Sequence, residues 1–385
     1  MQSDVQQMNS NNNNSVAYIA RAKLPSPSAN SVHVMKISEA FSELSREFCL
    51  IIPEESANRN DFKQSYEYYG VKQFGIVPVY MNLQKSLSSR YVFPLKAIHI
   101  ALKKKVDYIV TRDPIVAFLA VFHHKPVVLD LHGDLKHLCG RAYRMIKLRW
   151  FVESKYLHLV TITGGLKKYY VEKYGVPKER ITVLPDGYTA ENFDGIEQTT
   201  PLQREKLNIG YCGSFLKGKG LGIIHQMAIV DAENDYFLYG GTKEQAEQEI
   251  QDAFSNNVTF GGYVPNSQIP KILNQMDVLL LPNQEQQVCK GEDIGKVTSP
   301  LKMFEYMASG RILVASDLLI LKEVLNEKNS YLVEAGIAKP WVDTIKHIEQ
   351  NRQEAAKKGI QAKKDVRQYS WNQRVEKMLK LMKEK

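Results

Sequence analysis

The feature that most restricts the fold of this chain is an alternation. Short apolar runs of strand length take turns with stretches whose apolar residues recur at helical spacing, from residue 16 almost to the end. That is the pattern of parallel sheets with covering helices, so the chain is expected to be α/β. A first set of runs comprises VAYIA (16–20), FCLII (48–52), FGIVPVY (74–80), YIVT (108–111), VVLDL (127–131), HLVTI (158–162) and ITVL (181–184). A polar stretch near 191–205 breaks the rhythm and reads as a linker. A second set follows: NIGYCG (208–213), YFLY (236–239), VTF (258–260), VLLL (278–281), ILVAS (312–316) and YLV (331–333), with a helical tail from 340. A chain of 385 residues exceeds one ordinary core and favours two domains of similar mass. Two open α/β sheets in tandem place a ligand crevice at the carboxyl ends of their strands, most naturally in the cleft between the domains.

Composition narrows the setting. The opening MQSDVQQMNSNNNN lacks a charged start followed by an apolar stretch, so it reads as a disordered leader rather than a signal peptide. The longest apolar runs, such as 115–122, fall well short of the roughly 20 residues a membrane helix needs. Cys49, Cys139, Cys212 and Cys289 are too scattered for metal or redox spacing, which suggests a reduced compartment and hence the cytoplasm. A net charge of +9 implies an anionic partner: nucleic acid, a membrane surface or a phosphorylated small molecule. The basic residues form no recognised nucleic-acid module.

The stretch GYCGSFLKGKGLG (210–222) nearly spells a P-loop, with Gly213, Gly218 and Lys219 in place. Gly220 stands where the Mg²⁺-binding hydroxyl belongs, and a triphosphatase is disfavoured. What survives is an apolar strand, a glycine-rich turn and a helix starting near Lys219, with Leu221, Ile224 and Ala228 at core-facing spacing. Free amides at such a start and the Lys219 charge suit a phosphate; a tight turn with a solvated lysine fits the stretch equally well. A second stretch adds weight. PNQEQQVCKGEDIGKVT (282–298) is a long connection for a compact domain, and SPLKMFEYMASG (299–310) follows. There Ser299 is expected to cap a helix, Pro300 to open it and Gly310 to end it. Leu301, Phe304 and Ala308 are expected on the sheet, with Lys302, Glu305 and Ser309 on the neighbouring face. A carboxylate two turns in can hold a ribose while the first amides and Lys302 draw a diphosphate.

Taken together these residues resemble the retaining glycosyltransferases of group 1, family 4, whose GT-B fold sets two Rossmann-like domains facing across a cleft. The resemblance runs over nearly everything from Val16 onward. It rests on the two stretches above with 257–282 and 311–317. In the amino half it rests on AYIARAKLPSPSANSVHVMK (17–36), YIVTRDP (108–114), VVLDLHGDL (127–135), TITGGLKKYY (161–170) and ITVLPDGYTAENF (181–193). YSWNQRVEKML (369–379) resembles the final helix that crosses back to the first domain. The implied organisation is a leader at 1–15, an acceptor domain at 16–195, a nucleotide-sugar domain at 205–365 and a closing helix at 366–385. The resemblance implies His132, Lys219 and Glu305 as catalytic candidates: His132 facing the transferred sugar, Lys219 on the diphosphate, Glu305 on the ribose. It adds Gly213, Ser214, Thr298, Ser299, Leu301 and Lys302 to the donor site. It places Asn30, Ser31, Arg112 and Asp134 on the acceptor side.

Two departures stand out. The arginine that often follows the glycine of the turn is replaced by Ser214, leaving Lys219, with Lys217 or Lys302, to carry the charge. The family's first glutamate is replaced by Val297, with Glu292 and Asp293 as candidate substitutes. The implied reaction moves a sugar, with retention, from a UDP- or GDP-linked donor to a glycan or lipid-linked acceptor in cell-envelope or exopolysaccharide synthesis. No cofactor and no metal ligand set is expected, and no DxD motif is apparent. Residues 141–158 interleave Arg141, Arg144, Lys147, Arg149 and Lys155 with Met145, Trp150 and Phe151. They read as a helix that packs one face, or as one that touches anionic lipid at the inner face of the plasma membrane. A nucleotide-sugar epimerase and a non-catalytic saccharide-binding partner are the competing readings.

Overall fold

The structure is a computed structural model that describes residues 14–55, 62–81, 88–136, 140–194, 205–289, 292–293, 295, 297 and 299–384. The leader up to residue 13, Cys139, Thr298 and most of the linker lie outside the described residues. The chain forms two compact units, Met1–Asp186 with Trp371–Lys385, and Gly187–Ser370.

The first unit is built on seven parallel strands: β1 (Ser15–Ile19), β2 (Glu47–Glu54), β3 (Ile76–Tyr80), β4 (Tyr108–Thr111), β5 (Val127–Leu131), β6 (Leu157–Thr161) and β7 (Ile181–Val183), in the order β3-β2-β1-β4-β5-β6-β7. The order reverses between β1 and β4, the kind of switch point where side chains beyond the strand ends can converge. All five residues of β1 and of β5 are buried, as sheets covered on both faces require. The last helix, Trp371–Lys383, packs on Ala29–Leu44. Its buried stripe of Trp371, Val375, Met378, Leu379 and Met382 follows the helical repeat, each large side chain contributing roughly 1.5–3 kcal/mol on burial.

The second unit has six parallel strands, β8 (Asn208–Cys212), β9 (Asp235–Tyr239), β10 (Val258–Gly262), β11 (Val278–Leu281), β14 (Ile312–Ser316) and β15 (Tyr331–Val333), ordered β10-β9-β8-β11-β14-β15. A short antiparallel pair, β12 (Val288–Cys289) with β13 (Glu292–Asp293), lies in the long connection. Successive residues of β11 feed opposite cores. Val278 and Leu280 join Ile224, Met227 and Trp341, whereas Leu279 and Leu281 join Phe304, Met307 and Leu273.

The segment 141–158 departs from the expected helix. It comprises a 3₁₀ turn (Gly140–Lys147), a single helical turn (Arg149–Val152) and the start of β6. Leu148 between them is extended, and the buried positions Ala142, Ile146, Phe151 and Val152 fall out of phase after Ile146, so no continuous apolar stripe exists to hold one helix. Among the described residues no helix is long and apolar enough to cross a membrane.

Candidate functional site

In the second unit the carboxyl ends of three adjacent strands carry glycines. Gly213 after β8, Gly240 after β9 and Gly262 in β10 are joined by backbone bonds, Gly213 N–H to Tyr239 O at 2.8 Å and Gly240 N–H to Gly262 O at 2.8 Å. A Cβ on Gly240 would collide with the Gly213 carbonyl, so the backbones approach as no side chain would permit. The turn after β8 closes on the connection that follows β11: Gly220 sits at φ +88°, and a Cβ there would run into the Pro282 carbonyl oxygen. The helix Leu221–Val230 starts two residues later than expected, because left-handed Gly220 forms its N-cap and leaves Lys219 in the turn. Leu221, Ile224 and Ala228 are buried.

Lys219 Nζ donates to Gln287 Oε1 at 2.8 Å, and buried Asn283 donates to the same oxygen at 3.2 Å. Lys302 comes from the facing helix Leu301–Ser309. Its stem is half-buried, yet its Nζ is sealed from solvent with no hydrogen-bond partner among the described residues, 3.8 Å above the centre of the Tyr211 ring. The amine reaches Gly213 so closely that a Cβ there would lie 2.9 Å from it. Burial drives Lys302 well below the ordinary lysine range, and the like charge of Lys219 pushes the same way. Among the described residues no carboxylate offsets this shift. The turn therefore holds one tethered and one uncompensated lysine beside a glycine shelf. Ser214 contributes its carbonyl to the Tyr211 hydroxyl at 2.9 Å.

Glu305, half-buried, accepts from Asn266 Nδ2 at 3.4 Å. Ser299 does not cap the helix: the N-cap is Pro300, extended at ψ 118°, without a side-chain bond. A residue before proline is held out of the helical region, which keeps Ser299 outside. Leu301 is only half-buried, whereas Phe304 and Ala308 reach the core and Ser309 turns its hydroxyl onto Tyr306 O at 2.6 Å. Tyr306, passed over in the sequence, stitches the end of β8 to this helix by accepting from Cys212 N–H at 2.7 Å and donating to Cys212 O at 3.0 Å. Its only signal was a tyrosine at a core-facing position.

In the first unit His132 lies one residue beyond β5, next to a buried polar cluster. Its Nε2 is 2.9 Å from Asp130 Oδ2, and Arg374 Nη2 donates to Asp130 Oδ1 at 2.7 Å. The His33 ring meets that of His132 edge-on at 4.4 Å and that of Trp371 at 5.1 Å. His33 Nε2 is 3.4 Å from Asp186 Oδ1, too poorly aligned to bond, and both atoms are buried and unsatisfied. Burial, then the neighbouring His132, lowers His33 to about 4; burial and Arg112 lower His132. Against the opposing effect of burial, Arg374 holds Asp130 far below the usual carboxylate range, and the two histidines bring Asp186 to about 2. His33, His132 and Asp186 offer three ligand atoms within 4.8 Å of one another, a spacing open to a metal ion. The positive field of Arg112, which acts on both histidines, and of Arg374 disfavours a divalent cation there. Asp130, His33, Asp186 and Arg374 lie in stretches that carry the resemblance but were given no role there, because nothing local shows that they meet.

The acceptor-side candidates separate into two groups. Arg112 Nη1 donates to Asn30 Oδ1 at 2.6 Å, so these two meet, and Asn30 also donates to Arg21 O at 2.9 Å. Ser31 is buried and engaged in the cap of Ala29–Leu44, donating to Lys23 O at 2.8 Å. Asp134 is clamped internally: Tyr169 at 2.6 Å, Lys173 at 2.8 Å, Tyr174, and the Lys136 amide at 3.0 Å all donate to its carboxylate. Those bonds outweigh burial and hold it at about 2.

Comparison with known proteins bears on the fold and the family. Residues 31–192 match the family profile Glycosyltransferase Family 4, and residues 206–351 match Glycosyl transferases group 1. A glycosyltransferase from Rickettsia africae superposes with a TM-score of 0.72 at 14% identity, over 97% of this chain and 98% of that one. Anabaena HepE in complex with UDP superposes with a TM-score of 0.70 at 14% identity, over 95% and 99% of the two chains. HepE is also known in complex with UDP-glucose. An uncharacterized 41.2 kDa protein in the cps region of Klebsiella pneumoniae is 26% identical over 163 residues, 40% of this chain and 41% of that relative's length. With two Rossmann-like parallel sheets of the GT-B kind, and with each unit matching a glycosyltransferase profile, the chain is a glycosyltransferase.

Proposed function

We propose that the enzyme is a retaining glycosyltransferase of family 4 that moves a sugar from a nucleotide-diphosphate donor to a glycan or lipid-linked acceptor. The observation that carries this reading is Lys302: its buried amine, with no hydrogen-bond partner among the described residues, lies beside Gly213 and within the electrostatic reach of Lys219, an arrangement suited to an anion. In this reading the diphosphate lies across the turn of Gly213 and Ser214, against the Lys219 and Lys302 amines and the first amides of the Leu301–Ser309 helix. Glu305 accepts from the ribose hydroxyls. Ser299 and Leu301 border the phosphates, and Thr298 falls outside the described residues. As the bond between the anomeric carbon and the phosphate oxygen breaks, negative charge grows on the diphosphate and the lysines stabilise it. The acceptor oxygen then bonds to the anomeric carbon on the same face, and its proton passes to the departing phosphate.

UDP is the favoured nucleotide, since HepE binds it; GDP is the alternative. The cps-region relative favours envelope or extracellular polysaccharide as the product. A cytoplasmic enzyme working at the inner face of the membrane suits a lipid-linked acceptor. Phe122, Leu148 and Trp150 are 66%, 39% and 53% exposed, with Arg141, Arg144, Lys147 and Arg149 exposed close by in sequence. Flotation with anionic vesicles at moderate salt tests that contact, and failure to float removes it. Turnover of a nucleotide-sugar panel, read as nucleoside diphosphate released with and without acceptor, tests the activity. Conversion of a nucleotide sugar without acceptor would favour an epimerase, and no turnover with saccharide binding a non-catalytic partner. Lys219→Ala retaining full transfer and donor affinity would overturn the phosphate assignment.

A further inference from the structure

Asp130 is fully buried and held as a carboxylate by Arg374, and a carboxylate only accepts. The hydrogen shared with His132 at 2.9 Å therefore belongs to the imidazole, on Nε2. Arg374 is itself fixed at both ends of its fork. Nη2 donates to Asp130 Oδ1, while Nη1 donates to Pro185 O at 2.7 Å and to Leu184 O. Guanidinium and carboxylate are both sealed, so this pair has one arrangement. His132 Nδ1 meets no hydrogen-bond partner among the described residues, and the His132 side chain keeps 8% of its surface exposed against 2% for His33.

We infer that the last helix sets the tautomer of His132: Arg374 fixes Asp130, Asp130 keeps the proton on Nε2, and Nδ1 is left as a lone-pair acceptor for a hydroxyl of the transferred sugar. The inference rests on the glycosyltransferase reading for what His132 meets, but on the geometry alone for the tautomer. Arg374 and Asp130 are then positioning residues, and His132 recognises a hydroxyl rather than donating to a phosphate. The groups that face the ring are Asp130 on β5, Asp186 after β7, His33 on Ala29–Leu44 and Arg112 after β4, with Arg374 behind Asp130. Burial and Arg112 outweigh the two carboxylates, so the ring is neutral near pH 7.5 and the choice of tautomer is meaningful.

The test is nitrogen NMR of the full-length protein with ¹⁵N-labelled histidine, without donor, at pH 7.5, with the His132 signals assigned by their loss in His132→Gln. The expected result is a protonated Nε2 and an unprotonated Nδ1. A proton on Nδ1, or an even mixture of tautomers, overturns the inference. Asp130→Asn offers its amide N–H to Nε2 and should move the ring proton to Nδ1. The expected cost is a kcat lowered about a hundredfold with the donor KM within about threefold. An inverted tautomer with unchanged kcat would overturn the link to the reaction. Arg374→Lys should restore most of what Arg374→Met loses in kcat. If these variants do not fold, the wild-type spectrum still decides. If no nucleotide sugar is turned over, the transferase reading fails while the spectrum continues to judge the relay.

Discussion

Replacing Lys302 with Met should make the protein more stable and the enzyme worse. Methionine keeps the unbranched stem and its packing on Tyr211 while removing a buried amine that has no hydrogen-bond partner. An unsatisfied buried polar group costs about 1–3 kcal/mol. Against that stands the attraction of the amine for the ring 3.8 Å away, about 1 kcal/mol. The balance is a gain of about 1 kcal/mol, or roughly 2–4 °C in the Tm of a unit this size. The donor loses a charge-assisted bond of about 1.5–3 kcal/mol, roughly a 10- to 100-fold rise in Kd. Scanning fluorimetry without ligand gives the first quantity. Isothermal titration with whichever of UDP or GDP binds the wild type gives the second. A lower Tm with an unchanged Kd would refute the reasoning, because Lys302 would then be a structural residue satisfied in some other way.

The same lysine predicts a pH effect of defined sign. Burial and the like charge of Lys219 lower its pKa, and an arriving diphosphate favours its charged form. Donor binding should take up a proton and weaken by up to tenfold per unit as pH rises, read as a dependence of titration heats on the ionisation enthalpy of the buffer. Gly220→Ala adds left-handed strain to a clash with Pro282 and should cost at least about 2 kcal/mol by urea denaturation, with donor binding lost in parallel. His33 titrates near 6.5 when unfolded and at about 4 when folded, so the unfolded chain takes the proton first on acidification. Its contribution is intact above 6.5 and falls by about 3 kcal/mol in all as pH drops to 4. His33→Gln should flatten the urea midpoint between pH 6.5 and 4.

The strands of both sheets were legible because each is a continuous apolar run, and YIVT, VVLDL, VLLL and ILVAS coincide with β4, β5, β11 and β14. The glycine turn was legible as a turn but not as a shelf, since the collision of Gly240 with Gly213 depends on two strands being neighbours. Local chemistry misled where it was weak: the basic residues of 141–158 suggested a helix that its buried positions do not support. The helical spacing placed Lys302 on one face with Glu305, but not its amine over the Tyr211 ring, which only the packing of the helix against β8 decides. The relay at His132 was out of reach, because Asp130 and Arg374 stand 244 positions apart and neither belongs to a recognisable spacing.

That separation also governs how the chain can be made. Gly187–Ser370 is inserted within the first unit, so during synthesis the first 186 residues emerge well before the helix that completes their core. Until Trp371 and Arg374 leave the ribosome, Asp130 has no counterion and the packing face of Ala29–Leu44 has no cover. The inserted unit, whose six strands are contiguous in the chain, can close first. The expected order of assembly is therefore the second unit before the first, and a nascent chain stalled short of residue 371 should protect the second unit from protease while leaving the first open to cleavage.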